Sequence, residues 1–441
     1  MLRKTLGGDG IYKLMGEQFA KVADHRLAHK TTYSMQDALS CALSVFSLKS
    51  DSLLSFHKLL EVQEQNIKTL YHVKNIPSQT QIRDIIDPVV PESLRPAYDA
   101  LLRELQRGNE LKKFLFMKHY PVALDASGYF SSSNIKCPCC LEKKSKSDKS
   151  EFEYHHQMLA GCIVHPDIDQ VIPLYPEPIM NTDGSTKNDS ERVAGKRWAK
   201  SFRAHHPKMP VIILQDSLSS NTPYLEVLKD QDMRYLIAVK PTDHKYLFEQ
   251  FEINSSNQCT IKHSSSSETG IKKIITVDHH YEFICDLELN RSSEQKTNLL
   301  MFTEVHSDKK TGKEISRKNF SWITDLELSV SNAPAMARLA RRRWAIENET
   351  FQTLKKVTDY NIEHNFGHGK KYLSVNFALL CILAFGIDQA LELSCKLFKE
   401  ALTVSTGRKY LWATMRGAME WVELHSWEYF FALIIKKKNS S

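Results

Sequence analysis

Residues 120–130, YPVALDASGYF, place a short apolar run directly before an aspartate, Asp125. An apolar run of this length, followed by the small residues Ala, Ser and Gly, predicts a buried β-strand that ends at Asp125. Further runs of strand length follow along the chain: MLAGCIVH (158–165), QVIPLYPEPI (170–179), VIILQDS (211–217) and RYLIAVKP (234–241). The middle of the chain is therefore predicted to form a sheet.

Two stretches between these strands have the three- and four-residue spacing of amphipathic helices. They are residues 188–206, for which Asp189 is the expected N-cap, and residues 222–232. Three strands, a helix, a strand, a helix and a strand predict an α/β layer with a mixed sheet, whose last strands are joined by parallel crossovers.

The flanking segments have other patterns. Helical spacing dominates a predicted N-terminal region, 1–112, and returns in a C-terminal region, 371–441, where 377–398 are expected to be buried on most sides. Residues 256–325 contain β-like runs joined by polar loops, which predict a β-rich insertion. The α/β domain is then formed by 113–255 and 326–370.

Charge and cysteine content limit the class of protein. The 441 residues carry a formal net charge of +7, and +6 of this lies from Pro334 onward, where sixteen Lys and Arg face ten Asp and Glu. An anionic partner is a weak inference from this bias. We expect no membrane span and no secretory signal, and nine scattered cysteines favour a reducing, cytoplasmic compartment.

Two aspartates, Asp125 and Asp216, each end a predicted strand. Side chains at the carboxyl ends of strands project into the crevice where open α/β sheets bind ligands, and Mg²⁺ prefers oxygen ligands. A third carboxylate is available in RRRWAIENETFQTLKK (341–356), as Glu347 or Glu349, beside arginines suited to phosphate. The alternatives are turn aspartates and a solvated helix in which Arg343 and Glu347 form an i,i+4 pair.

Several stretches together resemble the DDE transposases of bacterial cut-and-paste insertion sequences, over roughly residues 30 to 400. The resemblance is to the branch whose ribonuclease-H-like catalytic domain carries a β-rich insertion. It rests on LDASGYFSS (124–132), YHHQMLAG (154–161), VIPLYPEPI (171–179), DGSTKNDSE (183–191), VIILQDSLSSN (211–221), RRRWAIENETFQTLKK and EHNFGHGKKY (363–372). It implies that Asp125, Asp216 and Glu347 are the catalytic, metal-binding triad for two Mg²⁺ or Mn²⁺ ions.

The family signature Y-x2-R-x3-E-x6-K is matched only in part. Arg343 and Glu347 match, whereas the tyrosine position is Ala340 and the lysine position is Leu354, with Lys355 one residue later. Glu349, seven residues before Lys356, stays the rival third carboxylate. The resemblance implies DNA contacts by Arg341, Arg342, Arg343 and Lys355, and we expect Trp344 to pack in the core.

The expected function is binding of the element's terminal inverted repeats, strand cleavage, and joining of the freed ends to target DNA. The resemblance also implies a homodimer that pairs two ends, with contacts through the C-terminal helices, in the bacterial cytoplasm at the nucleoid. The N-terminal helices are expected to read the ends, since base recognition usually inserts a helix into the major groove. A ribonuclease-H-like nuclease outside transposition and a DNA-binding remnant without activity are the alternatives.

Three other groups of residues are open to more than one interpretation. Cys137 and Cys140 form one C-x2-C pair, interpreted as reduced loop thiols; the alternative is zinc, with His155, His156 or Cys162 as partners. The residues Glu177, Asp183, Asp189 and Glu191 are assigned to structure, with DNA positioning or an auxiliary catalytic role as the alternative. His364 and His368 are interpreted as loop residues that bind neither DNA nor zinc, and contact with DNA or zinc is the alternative.

Overall fold

The computed structural model describes residues 4–27, 29, 31–144, 151–181, 190–254, 257–263, 275–291, 293–356 and 358–439. Within these residues the chain is a mixed α/β protein built on one mixed sheet, flanked by helices on both sides in sequence. The predicted mixed α/β architecture is thus confirmed.

The N-terminal segment is helical, as expected from its spacing. Its helices are α1 (Gly8–Phe19), α2 (Met35–Ser47), α3 (Leu53–Leu70), α4 (Gln79–Ile86) and α5 (Arg95–Arg107). Ser34 and Ser78 begin α2 and α4 through capping boxes, each with its side chain accepting from the third backbone amide of the helix. Helix α4 ends before Pro88, because proline cannot continue the helical hydrogen-bond ladder.

The sheet has eleven strands among the described residues. They are β1 (Tyr120–Ser132), β2 (Leu141–Lys144), β3 (Phe152–His165), β4 (Ile168–Pro173), β5 (Glu177–Ile179), β6 (Val211–Gln215), β7 (Arg234–Ala238), β8 (Asn257–His263), β9 (Ile275–Asn290), β10 (Ser293–Asp308) and β11 (Glu314–Thr324). Their order is β2-β3-β1-β6-β7-β11-β10-β9-β8, and β4 and β5 both pair with β3.

The central strands have the connectivity predicted from the apolar runs. Strand β1 pairs antiparallel with β3 and parallel with β6, and β6 pairs parallel with β7. The crossovers are α6 (Glu191–His205) and α7 (Thr222–Asp230). One predicted strand, 170–179, is divided into β4 and β5, because prolines at 173, 176 and 178 limit the ladder hydrogen bonds.

The described strands within 256–325, β8 to β11, extend this same sheet. Strands β9, β10 and β11 form a long antiparallel array, and β11 joins it to the central strands through antiparallel pairing with β7. Helix α8 (Lys245–Ile253) leads into the array. The serine-rich residues 264–274 lie outside the described part of the chain.

Helices return after the last strand. They are α9 (Ala333–Arg341), α10 (Gln352–Lys355), α11 (Leu373–Ser394), α12 (Lys396–Val404), α13 (Arg408–Trp421) and α14 (Trp427–Asn439). Helix α11 has the length and apolar composition of a membrane span, but 94% of that window is buried inside the protein, as in an ordinary core helix. It packs against α2, and Asn376 on it donates hydrogen bonds to the carbonyls of Ile86 and Val89.

The N- and C-terminal helices therefore share one hydrophobic core with the sheet. Asp87, just after α4, accepts hydrogen bonds from the backbone amides of Lys370, Lys371 and Leu373. This contact holds the loop between α10 and α11 against the N-terminal helices. The domain boundaries proposed above remain predictions.

Candidate active site

The first candidate carboxylate, Asp125, lies within β1 rather than at its end. The prediction that the strand ends there is wrong, because β1 keeps its antiparallel pairing with β3 as far as Ser132. Its parallel pairing with β6, however, ends at Ala123. Asp125 therefore projects just beyond the point where the two parallel strands separate, and its Oδ1 atom accepts a hydrogen bond of 2.9 Å from the Ala126 amide.

The second candidate, Asp216, directly follows the buried strand β6. It begins a short 3₁₀ turn, Ser217–Ser219, and its Oδ1 atom accepts a hydrogen bond of 2.9 Å from the Leu218 amide. This bond is that of a helix cap, and it fixes the direction of the carboxylate. Because β1 and β6 are adjacent and parallel, both aspartates lie at the same edge of the sheet.

The stretch 341–356 is helical but irregular. After α9 the chain forms a 3₁₀ turn, Arg342–Trp344, and then a π-helix, Ile346–Phe351, before α10. The π-helix packs against β1, β3 and β4. π-Helical turns are rare and are frequently found at functional sites.

Arg343 connects this helical segment to the first aspartate. Its guanidinium group donates to Asp125 Oδ2 at 3.2 Å and to Glu347 Oε1 at 2.9 Å. Glu347 is thus held beside Asp125. Among the described residues no ion pair joins Glu349 to this group, as expected for residues two apart on a helix, which do not share a face.

A fourth carboxylate, Glu191, lies close to the two aspartates. It is the first residue of α6, and the N-cap of this helix is Ser190 instead of the predicted Asp189. Burial, together with the negative charges of Asp125 and Asp216, raises the pKa of Glu191 to about 7. Helix α6 leads into β6 and runs antiparallel to it, so the first turn of α6 lies at the end of the sheet where β6 ends. This helix–strand order could have placed Glu191 near Asp216 from the sequence alone.

Asp125 is at the centre of this acidic group. The pKa of Asp125 is raised to about 6, chiefly by burial and also by the charges of Glu347 and Asp216. The charge of Arg343 and the hydrogen bond from the Ala126 amide act in the opposite direction. One guanidinium thus faces several partly desolvated carboxylates. A donor set of carboxylate oxygens with excess negative charge fits Mg²⁺ or Mn²⁺, which prefer oxygen ligands.

Of the other acidic residues singled out from the sequence, the structure describes only Glu177. Glu177 forms an ion pair with Arg197 at 2.7 Å. Asp183 and Asp189 lie outside the described residues.

The two neighbouring arginines have partners within the protein. Arg341 forms an ion pair with Glu304 at 3.0 Å, and its guanidinium carbon lies 5.7 and 5.2 Å from the ring centroids of Phe302 and Phe320. Arg342 donates to the backbone carbonyls of Ile168 and Asp169. These contacts fasten the helical segment to β10 and β4, so DNA contact by Arg341 and Arg342 remains a prediction.

Lys355 and Trp344 lie elsewhere than the acidic group. Lys355 pairs with Glu363 at 2.9 Å, within the loop that follows α10. The expectation that Trp344 packs in the core is wrong, since its side chain is exposed and only its ring edge approaches Phe320. The change to a 3₁₀ turn at Arg342–Trp344 rotates this position away from the buried face.

Comparisons with known proteins give a distant structural likeness. Neither the protein-family models nor the curated proteins searched contain a match to this chain. Among solved structures, the chain is similar to a piggyBac transposase in a synaptic complex with hairpin DNA, at 10% sequence identity and a TM-score of 0.40, covering 100% of this chain and 83% of that one. A likeness at this level is too distant to assign a family.

Proposed function

We propose that this protein is a DDE transposase that cuts and joins DNA at the ends of its own element. The observation that carries the proposal is that Arg343 donates to both Asp125 and Glu347, and that Asp216 follows the strand paired in parallel with that of Asp125. Glu347 and Asp216 both lie near enough to Asp125 to raise its pKa. These are the carboxylates that the resemblance to insertion-sequence transposases selects, and Glu347 is favoured over Glu349.

The fold supports the same proposal. The antiparallel strands β1, β3 and β4, followed by the parallel strands β6 and β7 with intervening helices, suit a ribonuclease-H-like catalytic domain. The array β8–β11 lies between the second aspartate and the glutamate, in the position of the β-rich insertion.

Asp125, Asp216 and Glu347 would together hold two Mg²⁺ or Mn²⁺ ions. Such ions neutralise charge on the attacking and leaving oxygens in phosphoryl transfer. The rest of the rate enhancement would come from holding the reacting groups in the correct geometry. The Leu218 amide orients Asp216, and Arg343 orients Asp125 and Glu347, so that the three carboxylates are set before DNA binds.

In the first reaction a water oxygen attacks phosphorus and the 3′ oxygen leaves as a hydroxyl group. That hydroxyl is then the nucleophile for strand transfer, so no covalent bond to the protein is needed. Four basic residues would contact DNA phosphates: Arg341, Arg342, Arg343 and Lys355. The N-terminal helices would read the terminal inverted repeats. A homodimer would pair two ends of the element in the bacterial cytoplasm.

The proposal is tested with duplex DNA carrying the inverted repeats that flank the gene, incubated with Mg²⁺ or Mn²⁺ and analysed for 3′-hydroxyl ends and joined products. Asp125→Asn, Asp216→Asn and Glu347→Gln should each lower cleavage by about 100-fold or more. The matched control, Glu349→Gln, should cleave like the wild type.

Three results would redirect the proposal. If Glu349→Gln loses cleavage while Glu347→Gln keeps it, the third metal-binding carboxylate is Glu349 and not Glu347. Equal cutting of DNA that lacks the repeats would favour the nuclease outside transposition. Binding of the repeats without cleavage in either metal would favour the inactive remnant.

A further inference from the structure

A second cluster of side chains lies away from the acidic group, and it consists of nitrogen and sulfur donors. Cys137 and Cys140 precede β2, His156 lies on β3, and His368 belongs to the loop between α10 and α11. The thiol and imidazole donor atoms of these four residues all lie within 4.8 Å of one another.

Four of the six separations between these atoms match the edges of a metal tetrahedron. Zn–S bonds of about 2.3 Å and Zn–N bonds of about 2.0 Å place neighbouring ligand atoms about 3.3 to 3.8 Å apart. The two Sγ atoms of Cys137 and Cys140 are 3.8 Å apart. His156 Nε2 lies 3.3 Å from Cys137 Sγ and 3.5 Å from Cys140 Sγ, and His368 Nε2 lies 3.4 Å from Cys140 Sγ.

The side chains around the cluster exclude water from it. Cys140, His156 and His368 are buried, and Cys137 is half-buried. The rings of Tyr129 and Phe130 pack on His156, and Phe130 also packs on His368. Four soft or intermediate donors in a closed, buried set match a structural zinc site, which leaves no position open for substrate.

We propose that Cys137, Cys140, His156 and His368 bind one structural zinc ion. This replaces the interpretation of Cys137 and Cys140 as reduced loop thiols, and that of His368 as a loop residue that does not bind zinc. Of the partners considered from the sequence, His156 is the one in the cluster. Cys162 is buried elsewhere with its Sγ atom 3.4 Å from Thr350 Oγ1, and His155 points to the opposite face of β3.

The site would join parts of the chain that are distant in sequence. His368 is 228 residues from Cys140, and it follows the helical segment that carries Glu347. The same loop is held on its other side by Asp87 through three backbone amides. A zinc ion would therefore fasten the loop between α10 and α11 to strand β3. This loop follows the helical segment 341–356, whose first part is bonded to β1 through Arg343.

Each ligand has a near neighbour of the same type that is not in the cluster. Cys139 lies between the two thiols, but its Sγ atom contacts the Lys371 carbonyl at 3.4 Å. His155 adjoins His156, and His364 lies in the same loop as His368, with its ring on Phe366. Cys139→Ser, His155→Gln and His364→Gln are therefore matched controls.

The test measures metal bound to the full-length protein, purified without chelator and reloaded with Zn²⁺. Mass spectrometry of the metal content should give about one zinc per chain, the loading of a closed four-ligand site. Cys137→Ser, Cys140→Ser and His368→Gln should lose most of it, while the three control variants keep it. Substitution by Co²⁺ should give the intense visible absorption of tetrahedral cobalt with thiolate charge-transfer bands.

The wild-type protein alone keeps the inference falsifiable if a ligand variant fails to fold. Its melting temperature should fall on zinc removal and recover on zinc addition. A protein that binds no zinc after reloading, or Co²⁺ bound with the weak spectrum of octahedral oxygen ligation, would overturn the inference. These readouts do not require DNA cleavage, so they are independent of the proposed transposase activity.

Discussion

Arg343 donates a hydrogen bond to Asp125 at 3.2 Å, although 218 residues of sequence separate them. The same guanidinium donates to Glu347 at 2.9 Å. The planar fork of arginine can serve two carboxylates in one plane, whereas a lysine ammonium is a point charge on a flexible stem. Arg343 is therefore a positioning residue for the two carboxylates in the proposed site, besides its expected contact with phosphate.

Replacement of the Arg343 guanidinium should displace the carboxylates of Asp125 and Glu347 but leave both groups present. We predict that Arg343→Lys lowers kcat for strand cleavage by about 10- to 100-fold, because small displacements of reacting groups are costly. Cleavage assays at saturating DNA and metal measure this effect.

The matched control is Arg338→Lys, at an exposed arginine that pairs with exposed Asp167. It should leave kcat unchanged. Wild-type kcat in Arg343→Lys would show that Arg343 does not position the site, and a change confined to KM would assign it to DNA binding alone.

The sequence allowed the sheet and its acidic edge to be predicted because both depend on local patterns. Apolar runs of strand length predicted β1, β3, β6 and β7. Asp216 directly follows one of these runs, and it accordingly lies at the end of β6. The i,i+4 spacing of Arg343 and Glu347 also gave their ion pair correctly.

Features that depend on tertiary contacts were beyond local patterns. The π-helix at Ile346–Phe351 shifts the helical register, so a 3.6-residue period cannot say which glutamate faces β1. The outward direction of Trp344 comes from another irregularity, the 3₁₀ turn Arg342–Trp344. His368 meets Cys140 only because the loop after α10 returns to the sheet edge, and no spacing rule spans 228 residues.

Crowding of carboxylates should make the metal-free acidic site unstable. Glu191 is partly buried beside Asp125 and Asp216, and its ionisation is opposed by burial and by their charges. We predict that Glu191→Gln raises stability in EDTA at pH near 8 by about 1 to 3 kcal/mol. Urea unfolding measures the difference.

Magnesium should reduce this gain, because a bound cation relieves the repulsion in the wild type more than in the variant. The control is Asp24→Asn: the hydrogen bond from Arg26 lowers the pKa of this carboxyl, so its removal should lower stability or leave it unchanged. Destabilisation by Glu191→Gln in EDTA would contradict the repulsion.

His244 should make the fold sensitive to acid. Ser220 Oγ donates to the Ser217 carbonyl, so it accepts from His244 Nε2 at 2.8 Å; the buried His244 Nδ1 has no hydrogen-bond partner among the described residues. Burial lowers the pKa of His244, although Asp243 and the contact with Ser220 oppose this. The unfolded chain therefore binds a proton more readily than the folded chain below about pH 6.5, and stability falls as the pH drops.

We predict that His244→Gln, which retains a donor for Ser220, loses less stability than the wild type between about pH 7.5 and pH 5.5. Denaturation midpoints at both pH values give the two losses. Their difference isolates His244, since the other histidines are common to both proteins. Equal losses would mean that His244 does not contribute to the acid sensitivity.

A buried ion pair between Lys49 and Asp388 joins the end of α2 to α11. Both side chains are buried, Asp388 also accepts from the Tyr360 hydroxyl, and burial lowers the pKa of Lys49 and raises that of Asp388. Removal of one partner leaves the other charge uncompensated. We therefore predict that Lys49→Met and Asp388→Asn each cost about 3 to 5 kcal/mol.

The double variant, Lys49→Met with Asp388→Asn, should cost clearly less than the sum of the two single changes, because no unpaired charge remains. Asparagine keeps an acceptor for Tyr360, so the cycle isolates the charge pair. Urea unfolding of the four proteins supplies the comparison. Additive costs would show that the two side chains do not interact.

Gly369 lies next to His368 at a backbone conformation that favours glycine, with φ +70°. A Cβ atom there would overlap Asp87 Oδ1 and lie 2.6 Å from Leu373 Cβ. Gly312, in the turn before β11, has a similar φ of +67° but nothing within 4 Å of the Cβ position. Gly312→Ala thus measures the cost of the backbone conformation alone, about 1 to 2 kcal/mol.

We predict that Gly369→Ala costs more than Gly312→Ala, because Asp87 must also release the amides of Lys370, Lys371 and Leu373. If the loop is fastened to the sheet as proposed, Gly369→Ala should also weaken zinc binding through its neighbour His368, whereas Gly312→Ala should not. Unfolding midpoints and metal content, measured on the same two preparations, separate the effects. Equal costs in the two variants would show that Asp87 does not hold this loop.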